Sequence, residues 1–255
     1  MKQEPLIVIL GPTASGKTNL AVHLADRLDG EVISADSRQI YRGLDIGTGK
    51  DLQEFVIGDR AINYHLIDIL EVGETYSVAH FKSDAINAID EVAIRGKKPI
   101  LCGGSGLYLD ALLSNYEFSH VPDFLEQNQN LNRDFMVFGL NPPVDIRRER
   151  CAFRLNKRIE EGLIQEVEDL LAKGVKATDL KWLGLEYKWI INYLEGEIDF
   201  DRFQKGLEIS IQQFAKRQMT FFRKMERTGI DIQWVPFDFT LQERLDWLIS
   251  KINFK

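Results

Sequence analysis

Eight residues near the N-terminus, GPTASGKT from Gly11 to Thr18, have the types and spacing of a polyphosphate cradle. Gly11 and Gly16 let the backbone turn its N–H groups toward an anion, and Pro12, Thr13, Ala14 and Ser15 make the turn between them. Lys17 adds a positive charge. Thr18 offers a hydroxyl to a phosphate-bound Mg²⁺, and a helix starting here aims the positive end of its dipole at the same anion. This chemistry needs a strand before the loop and a helix after it, and both are legible. LIVIL (Leu6 to Leu10) is a continuous apolar run, and the residues after Lys17 keep helical spacing to about Leu28, with a stop near Gly30.

A second constellation, DSRQIYRGLDIGTGK from Asp36 to Lys50, joins an acid to Ser37, Arg38 and Gln39, an aromatic and three glycines. Asp36 ends EVISAD (Glu31 to Asp36), which reads as the second strand, and open parallel sheets hold ligands at their carboxyl edge. An acid there can hold Mg²⁺ through water or serve as a general base toward an acceptor. The same residues also admit a structural role, with Asp36 capping a turn among ordinary loop glycines.

The elements that must position these groups alternate strand, helix, strand, the pattern of a parallel α/β sheet. NYHLID (Asn63 to Asp68) reads as a third strand. Ser77 has N-cap character before a long amphipathic run, PILCGG (Pro99 to Gly104) reads as a buried strand turning into the helix SGLYLDALL, and DFMVFGL (Asp134 to Leu140) closes the central set. From Pro143 the character changes to helices: one run stopping at Gly174, one over about Asp179 to Leu194, and one from Phe200 to about Glu226. A short strand, IQWV (Ile232 to Val235), and an amphipathic helix follow. The expected layout is one P-loop domain, with a core over about 1–142, helices over 143–228 and a closing strand and helix over 229–255. The least regular stretch is Asn115 to Arg133.

With 255 residues, 44% of them hydrophobic, the chain can bury a substantial core, and no apolar run approaches the roughly 20 residues of a membrane helix. The N-terminus enters a strand and does not read as a signal peptide, so a cytoplasmic, monomeric protein is expected. Two cysteines and four histidines without ligand spacing predict neither a disulfide framework nor a zinc site. A net charge of −7 argues against a generally basic nucleic-acid binder, so any RNA must meet a local patch. Arg147, Arg148, Arg150, Arg154, Lys157 and Arg158 form such a patch at helical spacing; it also reads as a solvated face, or as a lid in a kinase. Trp182, Tyr187, Trp189 and Tyr193 read as core.

GPTASGKT, DSRQIYRGLDIGTGK, YSVAHFKSDA (Tyr76 to Ala85) and GGSGLYLDALL (Gly103 to Leu113) together resemble the tRNA dimethylallyltransferases, in that family's order and with similar spacing. RIEEGLIQEVEDLLAKG, LKWLGLEY and QFAKRQMTFFRKM look like its later blocks. The resemblance implies a P-loop NTPase-like parallel sheet flanked by helices, with a helical C-terminal half. It also implies transfer of a five-carbon allyl group from dimethylallyl diphosphate to the exocyclic amine of an adenosine next to the anticodon, with Mg²⁺. By residue matching, Lys17, Thr18 and the loop from Gly11 would hold the diphosphate. Asp36 would take or orient the amine proton, while Ser37, Arg38 and Gln39 would hold the acceptor. Ser105 would stand where the family has a threonine, and Arg217 would reach the diphosphate from the third long helix.

One departure is large. The family's tRNA enzymes carry a helical insertion between the GLYLDALL-type helix and the next strand, whereas here that interval, Ser114 to Asp134, is too short for it. If tRNA is the acceptor, it is expected to be weakly gripped. Free-adenylate isopentenyltransferases share the core without tRNA, so the acceptor stays open between tRNA and a free adenine nucleotide. A P-loop small-molecule kinase or an RNA-binding relative are further alternatives.

Overall fold

The computed structural model describes residues 4–116 and 130–253. Most of the least regular stretch therefore lies outside the described residues.

Strand β1 (Leu6–Leu10) is buried at every position because both of its faces are covered. Leu6, Val8 and Leu10 pack on one side of the sheet and Ile7 and Ile9 on the other. Continuous apolar runs of this kind are what a central parallel strand requires. Helix α1 (Lys17–Leu28) follows the P-loop and feeds β2 (Gly30–Ser34). The turn between them is made by Asp29 in the left-handed region, one residue before the glycine expected to stop the helix.

A short 3-10 turn (Leu52–Phe55) leads into a two-strand hairpin of β3 (Val56–Ile57) and β4 (Arg60–Ala61). The expected third strand shrinks to β5 (Tyr64–His65), since Leu66 and Asp68 both take positive φ and break the extended run. Helix α2 (Val78–Ile94) opens on a Ser77 cap, with the Ser77 hydroxyl accepting from His80 N and the His80 ring accepting from Ser77 N in return. Then come β6 (Lys98–Gly103), α3 (Gly106–Leu113) and β7 (Phe135–Gly139).

The expected long helical runs are broken. Pro143 to Gly174 folds as α4 (Val144–Glu160) and α5 (Leu163–Ala172), and the next run as α6 (Ala177–Leu183) and α7 (Leu185–Leu194), with the breaks at Gly162 and Gly184. The 28-residue α8 (Phe200–Arg227), strand β8 (Ile232–Trp234) and α9 (Leu241–Asn253) complete the chain.

The sheet is parallel throughout, in the order β5-β2-β6-β1-β7-β8. Helices α2, α3 and α8 cover one face, while α1 and α9 cover the other. A third core joins α4, α5, α7 and α8 to Ile40, Tyr41 and Leu44 of the loop after β2, so the C-terminal helices pack on that loop. Tyr187 fills this core, with Trp189 and Tyr193 half-buried around it, but Trp182 is 91% exposed on α6, against expectation. The short α6 buries Leu180 inward and leaves Trp182 on the outer side. Among the described residues, no helix is long and apolar enough to cross a membrane.

Candidate active site

The carboxyl ends of β1, β2 and β6 deliver three loops to one edge of the sheet. After β1 the P-loop turns through Gly16, whose φ of 82° lies in the left-handed region that favours glycine, and α1 begins at Lys17. The first-turn amides of a helix have no partners within it, so an anion can take them. Two loop amides are already committed: Thr13 N donates to Gln218 Oε1 at 2.8 Å, and Ser15 N donates to Pro12 O at 3.3 Å. Gln218, on α8, also donates from Nε2 to Gly104 O at 2.9 Å. One buried amide therefore fastens the P-loop to the turn that follows β6.

After β2, Asp36 forms a tight turn in which its Oδ1 accepts from Arg38 N at 3.1 Å. Ser37 N donates to Ser105 Oγ at 2.9 Å, tying the β2 and β6 ends together. Ser34 Oγ donates to Gln39 Oε1 at 2.8 Å, and Gln39 Nε2 donates to Gly49 O at 3.0 Å. Both ends of that amide thus hold the loop. Arg38 Nη1 reaches Glu186 Oε2 at 2.6 Å, and its guanidinium lies 5.1 Å from the centre of the Phe214 ring. Burial alone would lower its pKa, but Glu186 and Asp36 turn the net shift upward.

Farther along, the loop is held from α5. Glu166 accepts from the amides of Asp45, Ile46 and Gly47 at 2.8, 2.6 and 3.1 Å and from the Tyr187 hydroxyl at 3.0 Å. Lys50 is fully buried and donates to Tyr41 O at 2.8 Å, to Asp45 Oδ1 at 2.6 Å and to Asp68.

These loops enclose a cleft of about 330 Å3, within the usual range of roughly 300–1,000 Å3 for small-molecule sites. Thr13 to Thr18 line one side, Asp36, Arg38 and Gln39 the next, and Thr48, Gly49, Asp51, Gln53 and Glu54 a third. Arg150, Phe153, Arg154, Lys157 and Arg158 of α4 close it, with Phe214 and Gln218 from α8. The basic helix is therefore not simply a solvated face: four of its six cations wall the cleft, Arg147 is buried, and Arg148 points outside the lining.

The electrostatics fit a ligand of high negative charge. Burial lowers the Lys17 pKa, opposed by Asp36 and Asp51. Arg154 pairs with Asp51, while burial, reinforced by the charge of Arg154, pulls Arg158 down to about 10. Burial raises Glu54, with Asp51 adding to it. Cys102, in a small hollow beside Lys17, Thr18 and Asp36, is pushed up to about 12 by burial and is an inert thiol near neutrality.

Lys17, Thr18, Asp36, Arg38 and Gln39 thus meet in one cleft. Gly11 and Pro12 lie buried beneath the loop, outside the lining, and the half-buried Ser37–Ser105 pair is outside it too. Arg217 is exposed on α8, 6.0 Å from the centre of the Phe214 ring and outside the lining, because helical phase turns its neighbour Gln218 inward instead. Gln218, Asp51 and Glu166 were missed at the level of sequence. Each acts across the fold, and the only trace is polarity on an otherwise apolar helix face for Gln218, which is buried between Ala215 and Met219 of the α8 core face.

A parallel sheet with a P-loop after β1, an acid after β2 at the same sheet edge and a wall of arginines defines a P-loop protein whose cleft brings cations and a carboxylate together. The family model of the IPP transferases matches residues 39–134 and 118–225, and the chain belongs to that family, the tRNA dimethylallyltransferases, and is a transferase. It is 39% identical to tRNA dimethylallyltransferase 1 of Parabacteroides distasonis, with 99% of each chain covered. It is 41% identical to tRNA dimethylallyltransferase 2 of Porphyromonas gingivalis strain W83, covering 90% of this chain and 93% of that one. The first alignment runs over 304 residues, more than this chain's 255, so the relative carries residues without counterpart here.

Among solved structures, the tRNA delta(2)-isopentenylpyrophosphate transferase of Staphylococcus epidermidis superposes with a TM-score of 0.83 at 27% identity, covering 99% of this chain and all of that one. The full-length tRNA isopentenylpyrophosphate transferase of Bacillus halodurans gives a TM-score of 0.81 at 29% identity, covering 98% of this chain and 97% of that one.

Proposed function

We propose that the protein transfers a dimethylallyl group from dimethylallyl diphosphate to the exocyclic amine of an adenosine in tRNA, next to the anticodon, releasing diphosphate. The observation that carries this is the single cleft in which Lys17 and the P-loop stand with Asp36 and the α4 arginines. In the reaction the allylic C–O bond breaks and its electron pair leaves with the diphosphate. The amine nitrogen forms the new C–N bond, and its proton passes to Asp36 or through it to solvent. Lys17, the first-turn amides of α1 and the arginines stabilise the charge that grows on the leaving group. Asp36, fixed by the Arg38 amide, orients the amine and accepts its proton. Arg38 and Gln39 border the acceptor side, and Ser37 with Ser105 sets the spacing of the two strand ends. Arg217 reaches the diphosphate only by leaving its place beside Phe214.

Thr18 and Asp36 supply hard oxygen donors beside the same hollow, and among the described residues no group of three or more His, Cys, Asp or Glu forms a metal cage. That donor set fits Mg²⁺, which draws most of its ligands from phosphate and water. When bound, the ion neutralises diphosphate charge. This reading places the protein in the cytoplasm with its tRNA.

The test is to incubate the protein with labelled dimethylallyl diphosphate and Mg²⁺, offering unmodified tRNA, AMP and ATP in parallel. Label in tRNA alone is expected. Label in AMP would make the acceptor a free nucleotide, and phosphoryl transfer from ATP without prenyl transfer would overturn the reading.

A further inference from the structure

Phe153 stands where an aromatic ring does little for the fold. Its helix, α4, buries Cys151 and Leu155 on the core side, whereas Phe153 faces away and is 70% exposed. A phenylalanine stabilises a protein through the apolar area it removes from water, and most of this ring stays in water. One exposed apolar residue is ordinary on a protein surface. Its place is less ordinary, because Phe153 lines the main cleft.

The neighbours on its helix indicate what the ring suits. Arg150 lies three residues before it and Lys157 four after, on the same helical face, and both are exposed and line the cleft. Arg150 rests 5.9 Å from the centre of the Phe237 ring, and Lys157 makes a loose 3.5 Å pair with Glu161, so weak contacts hold both heads. A flat ring between cations along one face is the arrangement that holds single-stranded nucleic acid, with the cations on phosphates and the ring on a base. Phe214, the second ring in the described lining, is half-buried and has the guanidiniums of Arg38 and Arg217 at 5.1 and 6.0 Å from its centre. Phe153 is therefore the ring with an open face.

We infer that Phe153 is a stacking platform for a base that flanks the acceptor adenosine in single-stranded RNA, with Arg150 and Lys157 on the adjoining phosphates. This rests on the tRNA reading above. It answers a need that reading creates: an adenine amine reaches Asp36 inside the cleft only when its base leaves the stack, and the neighbouring base is then left with a bare face. A free nucleotide has no neighbouring base, so a ring here favours a strand over a mononucleotide. An apolar ring also suits the donor's five-carbon chain, so the experiment must separate the two.

The probe is unmodified tRNA, measured by filter binding over a salt series without donor and then by steady-state kinetics. Phe153→Ala is expected to weaken tRNA binding roughly tenfold, the scale of one lost base–aromatic stack, and to raise KM for tRNA in proportion. The line of log affinity against log salt should drop in parallel, because removing a ring changes no phosphate contact. Phe153→Trp should bind at least as well as wild type, while Phe153→Leu, apolar but without a flat face, should stay close to Phe153→Ala. Tm should hold in all three, since the ring is mostly open. Unchanged tRNA affinity in Phe153→Ala overturns the inference. A rise confined to KM for dimethylallyl diphosphate also overturns it and puts the ring on the allyl chain. A flattened salt slope overturns it by making the ring a support for the cations, and a fall in Tm in both Phe153→Ala and Phe153→Leu by making it a packing residue. Wild-type protein that labels AMP and not tRNA sinks the tRNA reading itself, a different result from any of these.

Discussion

Lys17 and Asp36 face the same cleft from the ends of β1 and β2, which stand on either side of β6, and on the proposed mechanism they do opposite work, one toward the leaving group and one toward the acceptor. Lys17 is half-buried, and burial depresses its pKa, so its charge serves an incoming anion at the expense of the empty fold. Lys17→Ala is expected to raise KM for dimethylallyl diphosphate and cut kcat by about a hundredfold or more, with Tm within a few degrees of wild type. Steady-state kinetics beside a melting curve read both; wild-type turnover would remove the cradle from the mechanism. Asp36→Asn keeps the Oδ1 acceptor for the Arg38 amide but cannot take a proton, so allyl transfer should slow by roughly a hundredfold while Tm holds. A large fall in Tm with intact specific activity would make Asp36 a turn cap and nothing more. Lys17, Thr18 and Asp36 could be read from sequence because local spacing around a single turn defines them. Gln218 could not, since its partner Thr13 lies 205 positions away, and Arg217 was favoured in its place because one residue of helical phase is invisible without the packing.

Between elements, the governing device is the loop from Asp36 to Lys50, which carries the residues proposed for the acceptor side without a strand or helix of its own. Glu166 substitutes for that missing ladder by accepting three successive amides, and it is itself held by Tyr187. Glu166→Ala leaves those amides without their acceptor. It should cost about 2–4 kcal/mol in denaturant unfolding and raise KM for the acceptor more than KM for the donor, whose proposed cradle is the P-loop and not the loop that Glu166 holds. Equal shifts in both constants would show that the loop and the P-loop move together. The strands β1, β2, β6 and β7 were legible because each is an apolar run bounded by turn residues. The breaks at Gly162 and Gly184 were not, because apolar spacing continues across each break and only tertiary packing decides that the chain turns there. The third strand was over-read for a related reason: Leu66 and Ile67 are apolar enough for a strand, yet positive φ at Leu66 and Asp68 bends the chain back toward Gln39.

For the whole molecule, a net charge of −7 must still admit an RNA, and the cations of α4 are divided between two tasks. Arg154 and Arg158 face inward, while Arg148 is exposed on the outer side, with Arg150 and Lys157 exposed at the cleft rim. The two stretches matched by the family model meet between 118 and 134, the interval that is too short here for the family's RNA-gripping insertion. Fewer phosphates are therefore expected to be neutralised than in a longer relative. Because the slope of log affinity against log salt scales with phosphate contacts, tRNA affinity should be modest and its salt dependence shallow. Arg148→Glu should raise KM for tRNA several-fold and flatten the salt slope further, leaving KM for dimethylallyl diphosphate nearly unchanged, whereas Arg154→Glu should disturb both substrates. Filter binding across a salt series, run beside steady-state kinetics, separates these outcomes. If Arg148→Glu leaves tRNA binding untouched, α4 is a wall of the donor site alone and the RNA docks on another face.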